Sequence, residues 1–207
     1  MKIKKTNIKF IEKSSFLRMD EDEIYKSSFI EDNPPKNLSY EGIIFESVRF
    51  KNIDFQLIDL KGVFFQNCEF IHCSFSNKKY VGLKFSQCKF EDTTFSSLLL
   101  EKNIFLDIEI INCSSKYLSL VESKVNNASI VNSFFSYPLF EKNKLQDIYL
   151  VDNKFFDAEV INTSLEGIDI STCQINNIII DLNSLKGVFC SSSQALEFSK
   201  LLKINIK

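Results

Sequence analysis

Glycine and proline are scarce in this chain, at five and three among 207 residues, tryptophan is absent and histidine occurs once. So few turn formers exclude a fold of short hairpins joined by tight glycine turns. No apolar stretch approaches the ~20 residues that cross a bilayer. The start, Met1-Lys2-Ile3-Lys4-Lys5, is basic but leads into no apolar run, so a secretory leader is not expected and the cytoplasm is the expected location. A net charge of −2 lacks the excess of either sign that direct nucleic-acid binding or a strongly acidic decoy would need. There is no glycine-rich phosphate loop and no zinc-ligand spacing, so the sequence predicts no enzyme, cofactor or metal site.

What the chain does contain is a period of five. Every fifth residue from Tyr40 to Leu185 is large and apolar with one exception, as in Phe45, Phe50, Phe55, Leu60, Phe65 and Phe70. A helix repeats at 3.6 and a strand at 2, so neither explains it. Two residues before each large centre stand mostly small or aliphatic groups, among them Val48, Cys68, Cys88, Thr93, Ala128 and Ser133. Two residues after it stand turn formers such as Asn52, Asn67, Asp92, Asn112 and Asp152. Alternate residues of an extended segment share a face, so the small residue and the centre both point inward and the turn former rotates the chain. The glycines set the coil length: Gly42, Gly62 and Gly82, then Gly167 and Gly187, recur at intervals of twenty. Four sides of five residues per coil follow.

Stretches such as Cys68-Glu69-Phe70-Ile71-His72 and Cys88-Lys89-Phe90-Glu91-Asp92 resemble the pentapeptide-repeat family. The resemblance implies an all-β solenoid, a right-handed quadrilateral β-helix of pentapeptide repeats. The expected organisation is an irregular N-terminal cap over 1–38, with an imperfect first coil around Tyr25 to Ile30, then coils over 39–189. A C-terminal helix and tail over 190–207 would cap the rod and dimerise it, since an open β-helix end needs cover. Ser191 and Gln194 have capping-box spacing. Leu196, Phe198, Leu201 and Leu202 give the helix more apolar surface than capping alone requires, which makes them the candidate dimer interface. Ile204 and Ile206 suggest a short terminal strand.

Some inward positions break the pattern. Ser115 replaces a large centre, predicting a local cavity or buried water. Lys78 must bring its amine to solvent or an acid, and Pro138 cannot donate a ladder hydrogen bond. Cys68, Cys73, Cys88, Cys113 and Cys173 read as packing thiols, with Cys68 and Cys88 stacked in neighbouring coils; His72 reads as an exposed corner.

Function then falls to the surface. Residues 39–187 carry 14 bases and 19 acids. The third side of the coil concentrates Glu69, Glu91, Asp92, Glu109, Asp152 and Asp169 against Arg49, Lys51 and Lys89. It also stacks outward Ile71, Ile111, Val131 and Val151, the rest of the candidate partner surface. The C-terminal run Gly167-Ile168-Asp169-Ile170-Ser171-Thr172-Cys173, with Ser184 to Val188 and Gln194 to Glu197, is similar to the Gram-positive branch of Qnr-type quinolone-resistance proteins. That resemblance implies a dimeric rod that binds DNA gyrase and topoisomerase IV and shields them from fluoroquinolones, by partial DNA mimicry. Two features depart from it: an unbroken register leaves no room for the loops some Qnr proteins carry, and the acidic excess is modest. The alternative is a structural or scaffold module with an unrelated partner.

Overall fold

The computed structural model describes residues 3–8, 12–16, 24–35 and 38–201; Leu202, Ile204 and Ile206 lie outside them. Among these, the chain is a β-solenoid closed by a short C-terminal helix. Every strand pairing in the body is parallel and offset by twenty residues, as in Phe45↔Phe65, Phe65↔Phe85 and Phe85↔Phe105. The coil of twenty inferred from the glycines is thus the coil that forms. The second and third sides, whose centres include Phe85 and Phe90, merge into one long sheet. Eight-residue strands such as Lys84–Glu91, Ile104–Ile111, Lys124–Val131 and Lys144–Val151 run through both. The first side stacks into a six-stranded sheet from Lys79–Val81 to Ile179–Ile180, and the fourth into a four-stranded one.

The corners explain the turn-former phase. All five glycines have positive φ, and so, among the described residues, do 23 others, every one at a position ending in 2 or 7. Asparagine and aspartate supply 13 of the 23 because their short side chains tolerate the left-handed region. The lower core is a stack of aromatic rings. Phe45, Phe65, Phe85 and Phe105 lie 5.2, 4.9 and 5.1 Å apart with planes within 10°. Phe50, Phe70 and Phe90 repeat the arrangement at 5.1 and 4.6 Å. Rings on neighbouring sides meet edge to face, as Phe45 does Phe50, the geometry that the ring quadrupole favours. Beyond Phe105 the centres shrink to Ile110, Ser115, Leu120, Val125 and Ile130 while the coil keeps its width. An apolar cavity of about 120 Å³ opens there, lined by Phe105, Ile110, Leu120, Val125 and Ile130 among others. The Ser115 hydroxyl is itself satisfied, donating to the Phe95 carbonyl at 2.8 Å.

Side chains two before the centres do more than fill space. On the second side the backbone N–H of Leu83 donates to Asn103 Oδ1 at 2.7 Å, Asn103 to Ser123 Oγ, Ser123 to Asn143 Oδ1, Asn143 to Thr163 Oγ1 and Thr163 to Ser184 Oγ. The fourth side repeats this from Cys113 through Ser133 to Asn153. The asparagines were not among the inward residues expected from size, yet all three are buried. Pro138 sits on the first side, where the stacked residue above is Ala158 and offers no acceptor. The equivalent N–H of Leu98 turns to its own Phe95 carbonyl. The lost donor therefore costs no ladder bond. The Lys78 amine reaches the Asp59 carboxylate.

At the N-terminal end the twenty-residue register already holds for Ile24–Lys26 on Ile44–Glu46 and for Ile30 on Phe50. Phe16 plugs the core, its ring 6.1 Å from Phe50 and its carbonyl accepting from the Tyr40 hydroxyl at 2.8 Å. At the other end the register, unbroken in sequence to Leu185, slips in space. Asp181 accepts from the N–H groups of Asn183 and Ser184 and caps a helical turn, Leu182–Leu185. A helical turn stores residues more tightly than a strand, and Thr163 consequently meets Ser184, 21 residues on. The helix Ser192–Leu201 then lies over the last coil.

Candidate functional site

The third side presents two outward ladders. One runs through Arg49, Glu69, Lys89 and Glu109; the other through Lys51, Ile71, Glu91, Ile111, Val131 and Val151. Stacking at strand spacing sets acids beside bases, and most of the acids find partners. Arg49 Nε lies 2.6 Å from Glu69, Lys89 Nζ 2.7 Å from Glu91, and His72 Nδ1 3.8 Å from Asp92. Residues 3–8 also cross this side: Asn7 exchanges hydrogen bonds with Asn67, Thr6 Oγ1 lies 3.4 Å from Glu69, and Lys5 reaches Glu109 at 3.9 Å. Glu69 and Glu109 are consequently only 14% and 16% exposed. The Ser171 side chain, and after it the Ser171 N–H that Asp169 accepts from, hold the Asp169 carboxyl below its usual range. What the ion pairs leave uncovered on this side is the apolar run of half-buried Ile111 and Val131 and exposed Val151, with Asp152 exposed at the corner.

Around that corner lies a cluster that sequence reasoning passed over. Phe134 and Phe156 meet edge to face at 5.5 Å on the fourth side. Tyr117 and Tyr137, about half exposed, pair at 5.3 Å, with Lys116 Nζ 4.9 and 5.9 Å from their rings. Both tyrosines hold positive φ, 63° and 54°, a conformation that disfavours bulky side chains. The signal was available: aromatic residues twenty apart in the corner phase, where asparagine, aspartate or glycine is the rule.

The C-terminal residues divide. Phe198 is buried against Ile168 and Ile170 of its own chain. Ser191 and Gln194 form the reciprocal capping bonds, and Gln194 Nε2 donates to the carbonyls of Ile170 and Cys173 at 2.8 Å each, closing the last coil. Leu196 and Leu201 face solvent, as do Leu182 and Phe189.

The five inward cysteines are buried and unpaired. Burial raises the thiols of Cys68, Cys73, Cys113 and Cys173, Cys73 to about 12 and Cys113 to about 11, which leaves little thiolate for reaction at these four. Among the described residues no group of three or more His, Cys, Asp or Glu could hold a metal ion, and no helix is long and apolar enough to cross a membrane.

A family model described as the SV2A/B/C luminal domain matches residues 21–115, just under half of the chain. No curated protein matches. Among solved structures, the chain is similar to trypsin-treated QnrB1, a plasmid-mediated fluoroquinolone resistance protein. Identity is 15% with a TM-score of 0.40, over 90% of this chain and 99% of that one. Full-length QnrB1 gives 15% and 0.36, over 94% and 97%. HetL, a pentapeptide repeat protein involved in heterocyst differentiation regulation from the cyanobacterium Nostoc sp. Strain PCC 7120, gives 10% and 0.30, over 83% and 89%. The solved structures that this solenoid resembles thus include Qnr and other pentapeptide-repeat proteins.

Proposed function

We propose that this chain is a non-catalytic binding protein whose target is a type II topoisomerase, DNA gyrase or topoisomerase IV, which it protects from fluoroquinolones. The observation that carries the binding reading is the aromatic strip of exposed Phe134, Tyr117 and Tyr137 and half-buried Phe156, with Lys116. One corner residue and one buried serine separate it from the apolar run through Val131. Aromatic and cationic groups on a preorganised surface are what protein contacts use as anchors. The target rests on the resemblance of the C-terminal run to Qnr-type proteins. Because Glu69, Glu91 and Glu109 are neutralised by basic neighbours, this reading relies on the apolar and aromatic edge rather than on imitation of a duplex.

The test is a gyrase supercoiling assay with ciprofloxacin, with and without the purified protein. Restored supercoiling is expected. Neither rescue nor inhibition at micromolar protein removes the topoisomerase and leaves a scaffold module with another partner. The double variant Tyr117→Asn/Tyr137→Asn deletes both rings while giving each corner a residue suited to positive φ. It should melt no lower than the parent and lose at least about tenfold in protective potency, the scale of one hot-spot contact. Full potency would move the contact off this edge.

A further inference from the structure

Among the described residues strand pairing breaks at two places, between Ile58–Lys61 and Lys79–Val81 on the first side and above Lys144–Val151 on the merged sheet, and only the second opens a long slot. Strand Lys144–Val151 is the last of its sheet, although the chain makes another turn above it. Where coils pair, the N–H groups of a centre and of the following corner donate to the next coil, as from Phe75 to Thr94 at 2.9 Å and from Asn77 to Ser96 at 2.9 Å. The carbonyl two before a centre accepts from that coil, as Cys73 does from Thr94. Applied to this strand, the rule turns the N–H groups of Leu145, Asp147 and Leu150 and the carbonyl of Ile148 toward residues 164–171. None of these backbone bonds forms. Residues 164–171 turn on themselves instead, Ile168 N–H to the Leu165 carbonyl, and follow the coil above, Ile170 N–H to the Phe189 carbonyl. Only Thr172 bridges, its hydroxyl donating to the Leu150 carbonyl and accepting from the Asp152 N–H, both at 3.3 Å. The parting leaves a slot of about 570 Å³ running the length of Leu145–Val151. Its effect shows in exposure: Asp147, Tyr149 and Val151 are open where Asn127, Ser129 and Val131 one coil below are half-buried.

We propose that this slot is a strand-addition site, in which an extended basic segment of a partner protein pairs with the free edge of Leu145–Val151. An unpaired edge offers a fixed row of donors and acceptors, and an added strand satisfies them while its alternate side chains choose the sequence. The volume is of the size that binding clefts have. The lining sets the charge of the occupant: Asp147, Glu166 and Asp169 contribute carboxylates, and no lysine, arginine or histidine lines the slot. Gly167 keeps the upper wall low, since a Cβ there would meet nothing within 4 Å. This site does not depend on the topoisomerase reading.

Amide hydrogen exchange on the intact chain tests the edge directly. The amides of Leu145, Asp147 and Leu150 should exchange about a hundredfold faster than those of Val125, Asn127 and Ile130, which are covered by the next strand. Equal protection in dilute protein would mean the edge is already closed and would overturn the proposal. A fluorescein-labelled seven-residue peptide alternating Lys and Val should then bind, slow exchange at those three amides, and lose affinity when its central amides are N-methylated. A Glu–Val peptide should bind at least tenfold more weakly, and Asp147→Asn/Asp169→Asn should narrow that difference without lowering the melting temperature. Absent binding, binding indifferent to N-methylation, or equal affinity for the acidic peptide each sinks the idea. Protection that grows with protein concentration and no peptide would instead assign the edge to a second copy of the chain.

Discussion

Each residue in the coil is judged by the two neighbours twenty positions away as much as by its own surroundings. Cys73 and Cys113 show what this does to chemistry. Both occupy the inward position of the fourth side, and burial raises their thiols from about 9 to about 12 and about 11. A raised folded value means that the folded chain holds these protons more tightly than the unfolded chain. Their contribution to stability is therefore complete below pH 9 and is lost as pH rises toward 11 and 12. Melting temperature followed between pH 8 and 11.5 should fall above pH 9, and fall less in Cys73→Ser/Cys113→Ser. Serine fits this position, as Ser133 demonstrates two coils from Thr93. Parallel curves for the two proteins would assign the alkaline loss to other groups.

At the scale of the element, the rungs that join coils are of two kinds. Backbone rungs follow from parallel stacking and were legible once the period of five had been multiplied to twenty. Side-chain rungs were not. Asn103, Asn143 and Asn153 stand in a phase that size alone reserves for small and aliphatic groups, so a count of volumes passes over them. They belong there because the N–H two before a centre points at the same phase of the next coil and needs an acceptor. Lys78 and Pro138 broke the pattern for the same reason in reverse: the first side carries apolar residues in this phase, so no rung is lost. The thinning of the core beyond Phe105 was readable only at Ser115, where the change of residue was largest; the void itself comes from several smaller reductions around Val125 and Ile130. Tyr117 and Tyr137 escaped notice because a corner was read for its turn and not for the side chain it displays. The side-chain rungs can be tested. Asn143→Leu keeps the branched four-atom shape of the side chain but strands the Ser123 N–H and the Leu120 carbonyl, which the amide meets at 3.0 and 2.8 Å. Leaving buried polar groups unpaired should cost about 1–3 kcal/mol, read by urea unfolding. A change under about 0.5 kcal/mol, the range of an ordinary surface substitution, would make the ladder incidental.

For the whole molecule, a stack of identical rungs has no intrinsic end, and what stops it decides whether the rod stays single. Phe16 and the Tyr40 bond close the first coil, and Gln194 and Phe198 close the last. The closing helix leaves Leu196 and Leu201 exposed at 51% and 40%, with Leu182 at 51% and Phe189 at 62% nearby in sequence. Phe198 is committed to its own chain, so the apolar surface left for another protein is that of the two leucines and these neighbours. Apolar patches of this kind on an otherwise charged surface favour a twofold contact, because one patch then covers its own copy. Sedimentation of the parent chain should accordingly give a dimer, and Leu196→Glu/Leu201→Glu a monomer with an unchanged melting profile in the dilute limit. The mutations touch neither Gln194 nor Phe198, so the cap remains and a loss of mass reports the contact and not unfolding. A parent chain that stays monomeric at tens of micromolar, the weak end of specific association, would show that the helix serves the last coil alone.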